Sequence, residues 1–173
     1  MQGEGVGGIM DPVHRAAKAN DFGQLYELLE EDPELVHARD STFPFFRPLT
    51  YACEAGSLNA AWLLLERGAQ MEQWDVFRHN ALMHACEYGR LEVVSMLLER
   101  GADPMARSGY EHTPLMCACL SLAHGSCDPV GVLRLLLKDA RVQVNARDMG
   151  GQTALHYACR EGHSELVRVL LVE

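Results

Sequence analysis

Six cysteines, eight histidines and 24 acidic side chains are the residues of this sequence that could carry chemistry. Thiols and imidazoles suggest a zinc site, a disulfide framework or a nucleophile. Their placement argues against all three. Cys53, Cys86, Cys119 and Cys159 occupy one recurring slot, directly after an alanine. His156 with Cys159, or His112 with Cys117 and Cys119, could be drawn as a ligand set, but no pair of C-x-x-C motifs supports it. No nucleophile elbow, phosphate loop or H-E-x-x-H is present. Glu54 and Glu87 sit at equivalent points of neighbouring units and could work as an acid–base pair. Without a pocket to raise a pKa they read as a solvated face. The chain is expected to need no cofactor or metal and to be no enzyme.

The slot exists because the sequence repeats. Aligned on their alanines, Val13-His14-Arg15-Ala16-Ala17, Leu49-Thr50-Tyr51-Ala52-Cys53, Leu82-Met83-His84-Ala85-Cys86, Leu115-Met116-Cys117-Ala118-Cys119 and Leu155-His156-Tyr157-Ala158-Cys159 form a series. Its steps are 36, 33, 33 and 40 residues. Gly56, Gly89 and Gly162 lie four residues beyond the alanine, where a helix end favours glycine. An apolar run follows in every unit. In the third unit, Leu91, Val94 and Leu97/Leu98 recur every three to four residues, on one helical face. Each unit therefore reads as two short helices and a loop. One unit cannot bury its apolar face alone, whereas stacked neighbours can.

These units resemble the ankyrin repeats, a family with a period near 33 and a T-P-L-H-x-A signature. The residues carrying the resemblance are Thr113-Pro114-Leu115-Met116-Cys117-Ala118, Thr153-Ala154-Leu155-His156-Tyr157-Ala158, Gly101-Ala102-Asp103 and Val144-Asn145-Ala146. It spans residues 11–173. It implies an all-α solenoid of about five helix–turn–helix units joined by β-hairpin-like loops. The repeats are placed at 10–40, 41–74, 75–107, 108–147 and 148–173, after a disordered tail at 1–9. The first unit, opening at Asp11-Pro12, is the cap. The fourth replaces its glycine with Leu122 and gains about seven residues around Ala123 to Pro129. The last stops inside its second helix and lacks a polar outer face, so the natural protein is expected to continue or this end to be covered. The cysteine slot is one that the family usually fills with alanine, facing the core, which makes reduced cysteine a small hydrophobe there. Packed helices lie roughly 8–10 Å apart, too far for slots to bridge when a disulfide needs Cα atoms within about 7 Å. The histidine of T-x-L-H is expected to tie its turn to a neighbour, and His84, one residue later, to face the groove.

Composition excludes further classes. The chain has 173 residues, 48% hydrophobic and 23% charged, which is globular. Its longest uninterrupted apolar stretch runs from Ala60 to Leu65, far below the ~20 residues of a membrane helix. Residues 1–10 show no basic start and no apolar run, so no secretory signal. A net charge of −9 with no basic run disfavours nucleic acid as a direct ligand. The reading is a soluble protein of the cytoplasm or nucleus, monomeric, without a membrane contact.

Ankyrin-type solenoids commonly bind proteins on the concave surface made by hairpin tips and the exposed side of the first helices. Carried over, the tips are Ser41–Phe46, Trp74–His79, Arg107–His112 and Arg147–Gln152, and the helix positions are Lys18, Glu54, Glu87, Tyr88, Arg160 and Glu161. Seven of the 12 aromatics fall here: Phe43, Phe45, Phe46, Trp74, Phe77, Tyr88 and Tyr110. Turns are normally polar, and aromatics are enriched at interface hot spots. Phe45, Arg78 and Glu111 stand where the family has its tip glycine. The candidate partner-binding residues are Phe43, Phe46, Glu54, Trp74, Val76, Phe77, His79, Glu87, Tyr88, Tyr110 and His112. The same aromatics could instead pack tip on tip, and Phe43 and Phe46 could simply cap the first unit. Glu54, Glu87 and Glu161 favour a basic partner. Asn145, eight residues after Leu137 and next to Val144, resembles ankyrin-repeat asparagines hydroxylated by an oxygen-sensing dioxygenase; alternatively its amide shapes the turn. The functional expectation is a protein-interaction scaffold or adaptor, or alternatively the recruiting module of a larger, possibly enzymatic, protein.

Overall fold

The computed structural model describes residues 10–41, 44–120 and 127–172. Over these residues the chain forms ten α-helices and no strands. They are α1 (Pro12–Lys18), α2 (Phe22–Glu31), α3 (Pro48–Ala55), α4 (Leu58–Glu66), α5 (Ala81–Glu87), α6 (Leu91–Glu99), α7 (Pro114–Cys119), α8 (Pro129–Leu137), α9 (Ala154–Arg160) and α10 (Ser164–Val172). A 3₁₀ turn, Pro33–His37, lengthens the first connection. None of these helices is long and apolar enough to cross a membrane.

The helices form two layers. The inner layer stacks α1, α3, α5, α7 and α9 in order, and the outer layer stacks α2, α4, α6, α8 and α10. Between the layers lies one continuous core, including Leu25, Leu64, Leu82, Leu97, Leu115, Leu133 and Leu166. Burying each such leucine contributes roughly 1.5–3 kcal/mol. Local chemistry sets the helix starts. Asp21, Asn80, Thr113 and Asp128 accept from the backbone N–H three residues on, at 2.7–3.3 Å. Asp11 precedes α1 but does not cap it: its carboxylate accepts from the N–H and hydroxyl of Ser41, pinning the first tip. Gly56 ends α3 with φ +79°, and a Cβ there would stand 2.8 Å from Arg90 Cδ. Glycine is therefore demanded twice, by conformation and by space.

The thiol slot is buried as packing requires. Cys53, Cys86 and Cys119 have no exposed surface, and Cys117 is equally enclosed. Burial drives all four thiols well above their ordinary pKa, Cys119 to about 12. Cys159 departs from the pattern and is exposed. The extra residues of the fourth unit lie mostly outside the described part of the chain, as does Phe43.

Candidate functional site: the tips and the inner helices

Each tip is a small polar turn locked by one side chain. Oδ1 of Asp75 accepts from the N–H groups of Phe77 and His79, both at 2.8 Å. Oδ1 of Asp148 does the same for Gly150 and Gln152, again at 2.8 Å. The hydroxyl oxygen of Ser108 accepts from Tyr110 and His112, at 3.2 and 3.1 Å. The second carboxylate oxygen reaches down to the inner helix of its own unit. Asp75 meets His84 Nε2 at 2.9 Å, and Asp148 accepts from the Tyr157 hydroxyl. Asp40 accepts from the Tyr51 hydroxyl at 2.7 Å. The tips thus project rigidly from the inner layer.

Successive tips are also joined. Gly109 N–H donates to the Phe77 carbonyl at 3.3 Å, and Met149 N–H to the Tyr110 carbonyl at 3.2 Å. Backbone hydrogen bonds therefore link these tips, and several of their apolar side chains keep exposed surface. Trp74, Val76, Phe77 and Tyr110 are 36, 46, 43 and 62% exposed. Arg78 lies over the Trp74 ring at 5.9 Å. Phe45, Arg78 and Glu111 adopt φ of +60°, +57° and +65°, the left-handed conformation that the fourth tip gives to Gly151. Non-glycine residues held there store strain.

Not every candidate residue is on this surface. Phe46 is buried, with its ring against Tyr51 and His84 at 5.5 and 4.9 Å. It closes the first tip onto α3 and α5, which leaves no face for a partner. His84 does not face the groove either, being buried and bonded to Asp75. His156 keeps to its own turn, with Nδ1 3.2 Å from Thr153 N and 2.8 Å from its hydroxyl. His79 and His112 are half-buried at the tip bases, His112 meeting the Tyr157 hydroxyl at 3.0 Å. Tyr88 is half-buried, and burial, with the Glu54 carboxylate, raises its pKa. Asn145 is exposed in the turn before the fourth tip.

The acidic side of the groove is less uniform than its sequence. Glu54 has Lys18 at 3.8 Å, and Glu161 has Arg160 at 3.0 Å. Glu87 meets only an imidazole, His79, at 3.8 Å among the described residues. Burial raises the Glu87 pKa; His84 opposes this, while Glu54 and Asp75 add to it. Burial also drives His79 down to about 4, with help from His84.

This pattern of paired helices and polar-locked tips matches a known family. The family described as "Ankyrin repeats (3 copies)" aligns with residues 13–108 and 106–173. The chain is an ankyrin-repeat protein. Ankyrin repeats are generally protein–protein interaction modules and typically non-catalytic.

The outer layer holds a second feature that the sequence reading did not weigh. Phe22 and Tyr26 of α2 stack at 6.3 Å between ring centroids. Leu58 and Trp62, their counterparts on α4, border a shallow groove of about 420 Å³ with Met96 and Ser95 of α6. Ser95 is small where the preceding units have Trp62 and Tyr26, and that difference opens the groove. Aligning Phe22/Leu58 and Tyr26/Trp62 across units would have found this stripe.

Proposed function

We propose that this ankyrin-repeat protein is a non-catalytic scaffold that binds a protein segment across its second and third tips. The observation that carries this is the exposure of Trp74, Val76, Phe77 and Tyr110 on two tips whose backbones are bonded together. Large exposed apolar patches mark interaction sites. Rigid aromatics bind at little entropic cost, since the supporting turn is already ordered. With Glu54 and Glu161 paired internally, the aromatic tips dominate recognition and the basic character of the partner is confined to what faces Glu87. No disulfide joins the described cysteines, which suits the cytoplasm or nucleus.

The test is a paired capture from cell lysate. One bait is the wild-type chain and the other carries Trp74→Ala, Phe77→Ala and Tyr110→Ala, with matching circular dichroism. Two hot-spot losses of about 2 kcal/mol each weaken binding roughly several hundredfold, enough to remove a prey. An identical prey set with both baits refutes the assignment.

A further inference from the structure

The base of the second tip gathers ligands for a metal ion. Ligand atoms of Asp75, His79 and His84 all lie within 4.8 Å of one another. The closest pair is His84 Nε2 and Asp75 Oδ2, at 2.9 Å. Glu87 adds a carboxylate oxygen 3.8 Å from His79 Nδ1. The four side chains come from the tip and from α5, and their backbones are fixed by the turn and the helix.

Two features distinguish this cluster from an ordinary hydrogen-bonded turn. First, each imidazole faces a carboxylate: His84 Nε2 lies 2.9 Å from Asp75 and His79 Nδ1 3.8 Å from Glu87. Second, neither carboxylate has a Lys or Arg in an ion pair among the described residues. A divalent cation matches that pair. Solvent can reach the cluster, since the His79 and Glu87 side chains remain 16 and 24% exposed.

The equivalent turns lack the set. The fifth unit places Tyr157 where the third has His84, and the fourth has Cys117 in that slot beside a tip built on Ser108. A second group, Asp11, His14 and Asp40, has only one imidazole. There His14 Nε2 faces the Ala38 carbonyl at 3.2 Å, Asp40 takes Tyr51, and Asp11 takes Ser41. Neither group includes a cysteine.

We propose that Asp75, His79 and His84, with Glu87 as fourth donor, bind one divalent transition-metal ion, zinc by preference. Two imidazoles with two carboxylates suit zinc; calcium and magnesium take oxygen donors. Tetrahedral zinc with bonds of 2.0–2.2 Å sets its donors roughly 3.3 Å apart. The ion would clamp the tip bearing Trp74, Val76 and Phe77 to α5.

The test uses the full chain carrying Cys127→Ser and Cys159→Ser, which removes the accessible thiols, after metal removal and dialysis. Zinc chloride is titrated against a chromophoric chelator, and cobalt chloride is followed by visible absorption. The expected result is one zinc per chain and tetrahedral cobalt bands with no thiolate-to-cobalt band. His79→Ala and Glu87→Gln, each folded by circular dichroism, should weaken zinc at least about tenfold, and His112→Ala should not. Absence of zinc binding, or binding unchanged by both His79→Ala and Glu87→Gln, overturns the proposal. Because no partner is involved, failure of this site leaves the tip-binding assignment standing, and the reverse also holds.

Discussion

Glycine in place of Glu111 should make this protein more stable. Glu111 holds φ +65° at the third tip, and its backbone carbonyl, which accepts from Arg107 at 3.1 Å, is retained by any substitution. An L-residue in this conformation costs about 1–2 kcal/mol. Glycine returns about 0.4–1 kcal/mol of that through the greater freedom of the unfolded chain. The exposed ion pair of Glu111 with Arg107, at 3.7 Å, contributes little. The net gain is about 0.5–1 kcal/mol, or roughly 1–4 °C in Tm for a chain of this size. Arg78→Gly should gain less. Its φ of +57° is similar, but its guanidinium over Trp74 is lost, at a cost of about 0.5 kcal/mol. Urea unfolding followed by circular dichroism measures both. Glu111→Ala is the control, because it removes the charge and keeps the Cβ. Should Glu111→Gly be no more stable than Glu111→Ala, the strain argument fails. If the tips bind a partner, Arg78→Gly should also bind more weakly while folding as well or better, the expected signature of strain kept at a working surface.

Acid should destabilise the protein through its histidines. His79 falls from 6.5 to about 4 on folding, and His14 and His112 shift the same way, chiefly by burial. Between those pH values the unfolded chain binds protons that the folded chain refuses, so stability is full above about pH 6.5 and declines as pH falls toward 4. His79→Gln should flatten that decline in urea titrations at stepped pH, and an unchanged slope would count against a neutral, half-buried His79. Thiol titration should find two of the six cysteines reactive in the native protein, Cys127 and Cys159, and six in denaturant. Fast native reaction at Cys53 or Cys86 would contradict their enclosure.

The repeat was legible because its cause is periodic. An alanine slot, a helix-ending glycine and a leucine run recur whenever thin helices must stack, so spacing alone exposes them. The strained tip positions Phe45, Arg78 and Glu111 were legible for the same reason, each standing where a repeat places glycine. Phe46 shows the limit. It sits one residue from the exposed Phe45, and nothing in its type separates the two; the turn direction sends one outward and the other against Tyr51 and His84. Cys159 shows another. Its slot is the one in which Cys53, Cys86 and Cys119 are buried, yet Cys159 is exposed.

Period, class and core are written in the sequence by itself, since hydrophobic spacing along a helix is a local property. What meets across elements is not. The Asp75 carboxylate finds His84 nine residues later because the tip folds back on α5, and His79 then faces Glu87 on the same helix. Lys18 meets Glu54, and Arg160 meets Glu161, leaving Glu87 as the groove carboxylate without a basic partner among the described residues. Those pairings follow from side-chain direction and helix offset, quantities that only packing determines, and they decide where this scaffold is apolar, where it is neutral and where it carries charge.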